Sequence, residues 1–299
     1  MKTMILAVLG MVFAATGAFA QSNEAAQSEM RTALDAANKV AVSGPADVKL
    51  IDQAMLKLPA GMVYIPPAEA GRLLVAMGNR SGEGMLGMVV TPAPDADWFV
   101  VMRFIKSGYI KDDDAKDWKT DELLANLKQG TEETNKERRT RGIREVEVLG
   151  WVEAPKYDAS THRLVWSLSS KEKGAPADAE RGVNYNTYAL GRDGYISMNL
   201  VTALKKIDAE RPVAHTLLAA LEYNGGKQYT DFNSATDHVA EFGLAALVGG
   251  VAAKKLGLFA VLFAFLAKFA KVIGIAAIGL GALVAKLLRR KQTQQPPAA

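Results

Sequence analysis

Between Glu145 and Val201, apolar and polar residues alternate with a period of two. That spacing puts successive side chains on opposite faces of a strand and does not suit a helix. Val146, Val148 and Val152 alternate with Glu145, Glu147 and Trp151, and a turn is expected over Pro155 to Thr161. Leu164, Trp166 and Leu168 then alternate with Arg163, Val165 and Ser167. A second pair, Val183 to Leu190 and Tyr195 to Val201, flanks Gly191-Arg192-Asp193-Gly194, where Asp-Gly supplies the positive φ of a tight hairpin turn. Four consecutive antiparallel strands form a meander, and a meander needs helices to cover it.

The preceding sequence supplies such helices. Residues 23–42 are Ala-rich, with Met30, Leu34 and Ala37 at helical spacing, and Ser43-Gly44-Pro45 ends the run. A short amphipathic stretch, the turn Pro59-Ala60-Gly61 and a strand from Met62 to Ile65 follow. Pro66-Pro67 then opens a helix to about Met77, since proline is tolerated in a first turn. Leu86 to Thr91 and Trp98 to Ile105 read as two more strands. Thr120, Asp121 and Glu122 start a helix with acidic residues at its positive end, and a further helix is expected near Val213 to Tyr223. The fold class is therefore α+β, an antiparallel β-meander sheet flanked by helices, with a signal helix before it and a transmembrane helix after it.

Those two additions rest on the ends of the chain. Lys2, the apolar run Met4 to Ala15 and Ala18-Phe19-Ala20 follow the order of a secretory signal, with cleavage expected between Ala20 and Gln21. From Phe242 onward no Asp or Glu occurs and apolar blocks alternate with lysines. Residues 272–288 make the best single span, about 25 Å as a helix, with Lys268, Lys271 and Lys286 placed to reach the headgroups. Arg289, Arg290 and Lys291 then lie on the cytoplasmic side. The competing arrangement, a hairpin whose first arm is 242–267, buries Lys254 and Lys255 at about 2.5 to 3.5 kcal/mol each. The expected organisation is a signal peptide (1–20), a helical leader (21–44), an exported α+β domain (45–241), an interfacial helical segment (242–271), an anchor (272–288) and a basic tail (289–299). It places the bulk of the chain in the periplasm or outside the cell, held at the bacterial cytoplasmic membrane.

The overall charge of +4 misleads when read as one number. Between Gln21 and Glu241 there are 27 Lys and Arg against 32 Asp and Glu, a net −5, so the basic surplus belongs to the ends. An acidic domain does not suit nucleic acid, whereas a basic tail suits anionic lipid headgroups. The absence of cysteine removes disulfide, thiol-nucleophile and zinc-thiolate chemistry.

Candidate chemistry is sparse. Asp112-Asp113-Asp114 with Asp117 lacks the spacing of a calcium loop and reads as a solvated turn. His162 lies near Asp158 and Ser160, but no G-x-S-x-G elbow surrounds any serine. His238 and Glu241 stand three apart on an expected helix, without further partners for a metal. No metal and no cofactor is expected. A ligand-binding site, if the aromatic strands carry one, is sought around Trp151, Tyr157, Asp158, His162, Asn184, Asn186 and Arg192, where the turns of both hairpins gather polar groups.

Several stretches carry a resemblance: SGPADVKLIDQAMLKLPAGMVYIPP, SGYIKDDDAKDW, GWVEAPKYDASTHRLVWSL, NYNTYALGRDGYISMNL and the segment from Asp231 to Leu258. Together they resemble the bacterial family known as domain of unknown function 2167, described as membrane-anchored proteins. The resemblance runs from about Ser43 into the anchor and implies no activity. The order of helices and meander also looks like the layered fold of the photosystem-II-subunit-P and Mog1-like proteins, an analogy that implies no function. The expected function is a non-enzymatic, membrane-anchored module that binds another envelope protein. The alternative is an envelope hydrolase or metal-dependent enzyme with a His/carboxylate site.

Overall fold

The computed structural model describes residues 20–249, except 78, 80, 94–97 and 141. The expected signal peptide up to residue 19, the anchor, its flanking Lys268, Lys271 and Lys286 and the tail residues Arg289, Arg290 and Lys291 lie outside the described residues. Among the described residues no helix is long and apolar enough to cross a membrane.

Eight antiparallel strands form one sheet in the order β1-β4-β5-β6-β10-β9-β8-β7. They are β1 (Val42–Ser43), β4 (Val63–Ile65), β5 (Met85–Val90), β6 (Phe99–Ile105), β7 (Val146–Asp158), β8 (Arg163–Glu172), β9 (Gly182–Leu190) and β10 (Tyr195–Ala203). The expected four-strand meander is present and continues through β6, which pairs with β10 from Ile105 opposite Tyr195 to Phe99 opposite Val201. A second sheet has three strands: β11 (Leu221–Tyr223) replaces the end of an expected helix, and β3 (Ala54–Leu58) and β2 (Ala46–Leu50) arise where the sequence shows only a short amphipathic stretch. Five-residue strands of this kind carry too few alternations to distinguish them from a helical turn.

The large sheet is apolar on both faces, so both must be covered. On one face Tyr185, Ile196, Met198 and Leu200 pack against Leu56 and Leu58 of the small sheet and Leu217 and Leu218 of α4 (Ile207–Ala219). On the other face, α1 (Ala20–Val40) and α2 (Pro67–Ala76) lay Ala33, Ala37, Leu73 and Leu74 over Ile65, Met88 and Val101. The same face nearer β7 and β8 carries Leu164, Trp166 and Leu168 beneath α3 (Thr120–Thr140) and α5 (Ala245–Gly249). Each fully buried side chain of this size contributes roughly 1.5–3 kcal/mol relative to exposure.

Several expected boundaries move. The leader is part of the domain, because α1 buries Ala33 and Ala37 in the core. At the other end Leu244, Leu247 and Val248 are buried as well, so residues 242–249 of the expected interfacial segment fold onto the domain. β7 runs through the expected turn to Asp158, and Pro155 is accommodated because β7 is an edge strand with register shifts around it. Helix α4 starts at Ile207, with Pro212 inside its first turns, and Leu221 to Tyr223 form a strand rather than its end. His238 and Glu241 do not lie on a helix. Val239 instead forms a parallel bridge with Tyr109, and Gly108 permits this approach, since a Cβ there would stand 2.6 Å from the His238 carbonyl oxygen.

The outer edge of β7 begins with an unusual partner. Asn135 of α3, fully buried, donates from Nδ2 to the Val146 carbonyl at 2.8 Å and accepts from the Val146 N–H at 2.9 Å. Its amide stands in for the neighbouring strand that an edge lacks. Asn135→Ala is expected to lower stability by about 2 kcal/mol by leaving both backbone groups unpaired. The nearby exposed Thr134→Ala is expected to change it by less than about 0.5 kcal/mol. Urea unfolding midpoints check the difference.

Candidate functional site

The turns of the β7–β8 and β9–β10 hairpins lie at the same end of the sheet, tied by the Leu190 N–H, which donates to the His162 carbonyl at 2.9 Å. The first turn is built on Asp158. Its Oδ1 accepts from the Ser160 N–H at 2.9 Å and the Ser160 hydroxyl at 2.6 Å, and its Oδ2 accepts from Thr161 Oγ1 at 2.8 Å. The Ser160 and Thr161 side-chain hydrogen bonds hold the Asp158 carboxyl down at about 2. The turn ends at His162 with φ 53°, the left-handed region that histidine enters more readily than most residues.

Two tyrosine-centred arrangements flank this turn on opposite faces of the sheet. Tyr157 donates its hydroxyl proton to Asp112 Oδ2 at 2.8 Å and meets His162 Nδ1 at 3.2 Å. A carboxylate only accepts, so the imidazole faces the phenol through Nδ1–H. His162 also stacks on Tyr229, which stacks on Tyr109, which stacks on Phe232, with centroids 4.1, 4.4 and 3.9 Å apart. The aspartate run is therefore not a solvated turn: Asp112 holds Tyr157, and Asp114 accepts the Leu244 and Ala245 N–H groups.

On the α4 face, Tyr185 is fully buried. It donates to Glu153 Oε2 at 2.7 Å and meets His215 Nε2 at 2.9 Å. Burial pushes the Tyr185 phenol well up, and the Glu153 carboxylate adds to the shift. Burial opposes ionisation of Glu153, yet the hydrogen bonds from Tyr185 and Lys156 outweigh it and its carboxyl is lowered. The phenol is thus a fixed donor at neutral pH and Glu153 a fixed anion.

A groove of about 330 Å³ opens here between β7, β8 and α4. Glu153, Lys156 and Asp158 line it from β7, Arg163 and Val165 from β8, and His215 and Leu218 from α4. Its volume falls at the lower end of ligand sites. A larger cavity of about 1010 Å³ lies between α1, α2 and residues 81–85, walled by Ala33, Ala36, Gly71, Val75 and Met85. It is walled without histidine or tyrosine.

Of the residues sought from sequence, Tyr157, Asp158 and His162 come together at this end. The other four do not join them. Trp151 lies under α3, donating from Nε1 to the Thr120 carbonyl at 3.3 Å and meeting Trp166 edge-on. Asn184 and Asn186 stand in the first half and at the middle of β9, away from both turns, and Asn186 Nδ2 reaches the Asn184 carbonyl at 3.3 Å. Arg192 is locked by Asp237, with contacts of 2.7 and 2.8 Å. Glu153, Lys156 and His215 were not anticipated, and Tyr185 only as one of the strand aromatics. The one available signal is His215, which stands three residues before Leu218 on the border of α4's buried stripe. Among the described residues no group of three or more His, Cys, Asp or Glu could hold a metal.

A family model described as protein of unknown function DUF2167 matches residues 42–281. The chain belongs to this family. The match begins at β1 and takes in every strand described above, so the groove and the tyrosine arrangements lie within the DUF2167 region. None of the curated proteins matches the chain. Among solved structures, the cyanobacterial PsbP (CyanoP) of Synechocystis sp. PCC 6803 is 12% identical, covering 62% of this chain and 91% of its own, at a TM-score of 0.36. The Ran-binding protein Mog1p of Saccharomyces cerevisiae is 10% identical, covering 64% of this chain and 100% of its own, at a TM-score of 0.34. At these values no property of either protein transfers to this chain.

The depressed Asp158 carboxyl gives its turn a pH signature. An acid lowered by folding contributes stability that is present above its ordinary value of about 3.9 and is lost as the pH falls toward the folded value. The Asp158 carboxyl carbon, followed by NMR, is expected to titrate near 2 in the native chain and to move upward in Ser160→Ala.

Proposed function

We propose that this DUF2167 protein is a membrane-tethered binding module of the cell envelope, and that the groove between β7, β8 and α4 is its recognition surface. The observation that carries this reading is the set of hydrogen bonds around the groove. Its hydroxyls and carboxylates hold one another in place: Tyr185 between Glu153 and His215, and Thr161 and Ser160 on Asp158. Groups fixed in this way make a preorganised surface for a ligand. The geometry favours the hydrolase alternative less, because the Ser160 hydroxyl is directed to Asp158 and His162 faces a phenol rather than a serine. Support for the tether is sequence-based: the signal-like start, the acid-free apolar end and the basic cluster after Leu288.

Crosslinking of the full chain in intact cells, followed by membrane fractionation, tests this reading. The expected outcome is one reproducible adduct in the membrane fraction that is reduced at least tenfold in Arg163→Glu. An adduct pattern unchanged by Arg163→Glu, or recovery of the full chain in the soluble fraction, contradicts it.

A further inference from the structure

Resting on the reading of the groove as a recognition surface, we infer that it takes a small zwitterion carrying a carboxylate and an ammonium, of amino-acid or dipeptide size. The key group is Arg163. Its guanidinium has five N–H donors, and one of them reaches the Leu221 carbonyl at 3.3 Å. Asp158 stands directly opposite Arg163 in the β7–β8 register, where an ion pair would be the ordinary outcome. The pair does not form; the Asp158 oxygens accept from Ser160 and Thr161 instead. A half-buried guanidinium therefore faces the groove with most of its donors unused and no carboxylate within ion-pair distance among the described residues. Arginine's planar fork matches a carboxylate bidentately.

The ammonium side is equally defined. Glu153 accepts from the fixed Tyr185 hydroxyl through Oε2, and its other oxygen meets only Lys156, at 3.3 Å. Lys156 is 75% exposed along its side chain and is free to swing into solvent when a ligand cation takes its place. With the Tyr185 proton committed to Glu153, His215 contributes Nε2–H to the phenol and keeps Nδ1 as an acceptor. The groove walls carry two carboxylates, Glu153 and Asp158, and two cations, Lys156 and Arg163. Such a balance suits a ligand of no net charge and penalises a phosphate dianion, which Glu153 and Asp158 would repel.

Isothermal titration of the full chain in mild detergent tests this, with L-alanine and dialanine as zwitterions, and acetate, methylamine and inorganic phosphate as partial or rival probes. The expected result is binding of a zwitterion at least tenfold tighter than acetate or methylamine, and no measurable binding of phosphate. Arg163→Gln and Glu153→Gln should each weaken it at least tenfold, with Arg163→Lys intermediate and thermal unfolding unchanged in all three. Binding of phosphate or acetate as tight as that of the zwitterions overturns the inference, as does binding unaffected by Arg163→Gln. If no zwitterion binds while the cellular adduct still depends on Arg163, the ligand class is wrong and the recognition surface stands; if both fail, so does the reading beneath it.

Discussion

An eight-stranded sheet that is apolar on both faces cannot exist without cover on both sides, and this requirement organises the rest of the molecule. One side is closed by α4 and the small sheet, the other by α1 and α2 at one end and α3 and α5 at the other. α4 packs on β9 and β10, and where it gives out toward the free edge the polar groove opens against β7 and β8 on that face. The candidate site is thus a consequence of where burial stops. Tyr185 ties the core to this site: it is fully buried, and its hydroxyl is held between Glu153 and His215, which both line the groove.

The same margin explains the hydrogen bonds that several polar groups there make. A hydroxyl or carboxylate at the edge of a core loses part of its hydration and must recover it from neighbours. Tyr157 does so with Asp112 and His162, Tyr185 with Glu153 and His215, and Asp158 with its own turn. Arg163 keeps donors to spare beyond its bond to the Leu221 carbonyl, since Asp158 opposite it accepts from Ser160 and Thr161. The Asp112 to Asp114 turn links this end of the sheet to α5, since Asp112 holds Tyr157 while Asp114 caps the chain entering α5.

The meander was legible because β8, β9 and β10 alternate without interruption, and the Asp-Gly turn between the last two is a direct chemical signal. β7 was legible only in its first half. Its register shifts near Gly150 and between Trp151 and Lys156, so the period of two fails there and the orientation of Glu153 and Lys156 cannot be counted from Val146. That failure hid half of the groove. His162, Asp158 and Tyr157 lie together in space as they do in sequence, whereas His215 and Tyr185 come to this end from elements far along the chain. Asn184, Asn186 and Trp151 were misplaced for a related reason: a strand presents its two ends and two faces to different surroundings, and proximity in sequence to a hairpin does not say which.

The central claim is that recognition takes place in the smaller polar groove and not in the larger apolar cavity between α1 and α2. Photo-crosslinking amino acids placed singly at Lys156, on the rim of the groove, and at Val75, in the wall of the larger cavity, compare the two directly in cells producing the full chain. The account predicts a discrete adduct from position 156 and none from position 75. An adduct from position 75 alone would contradict it.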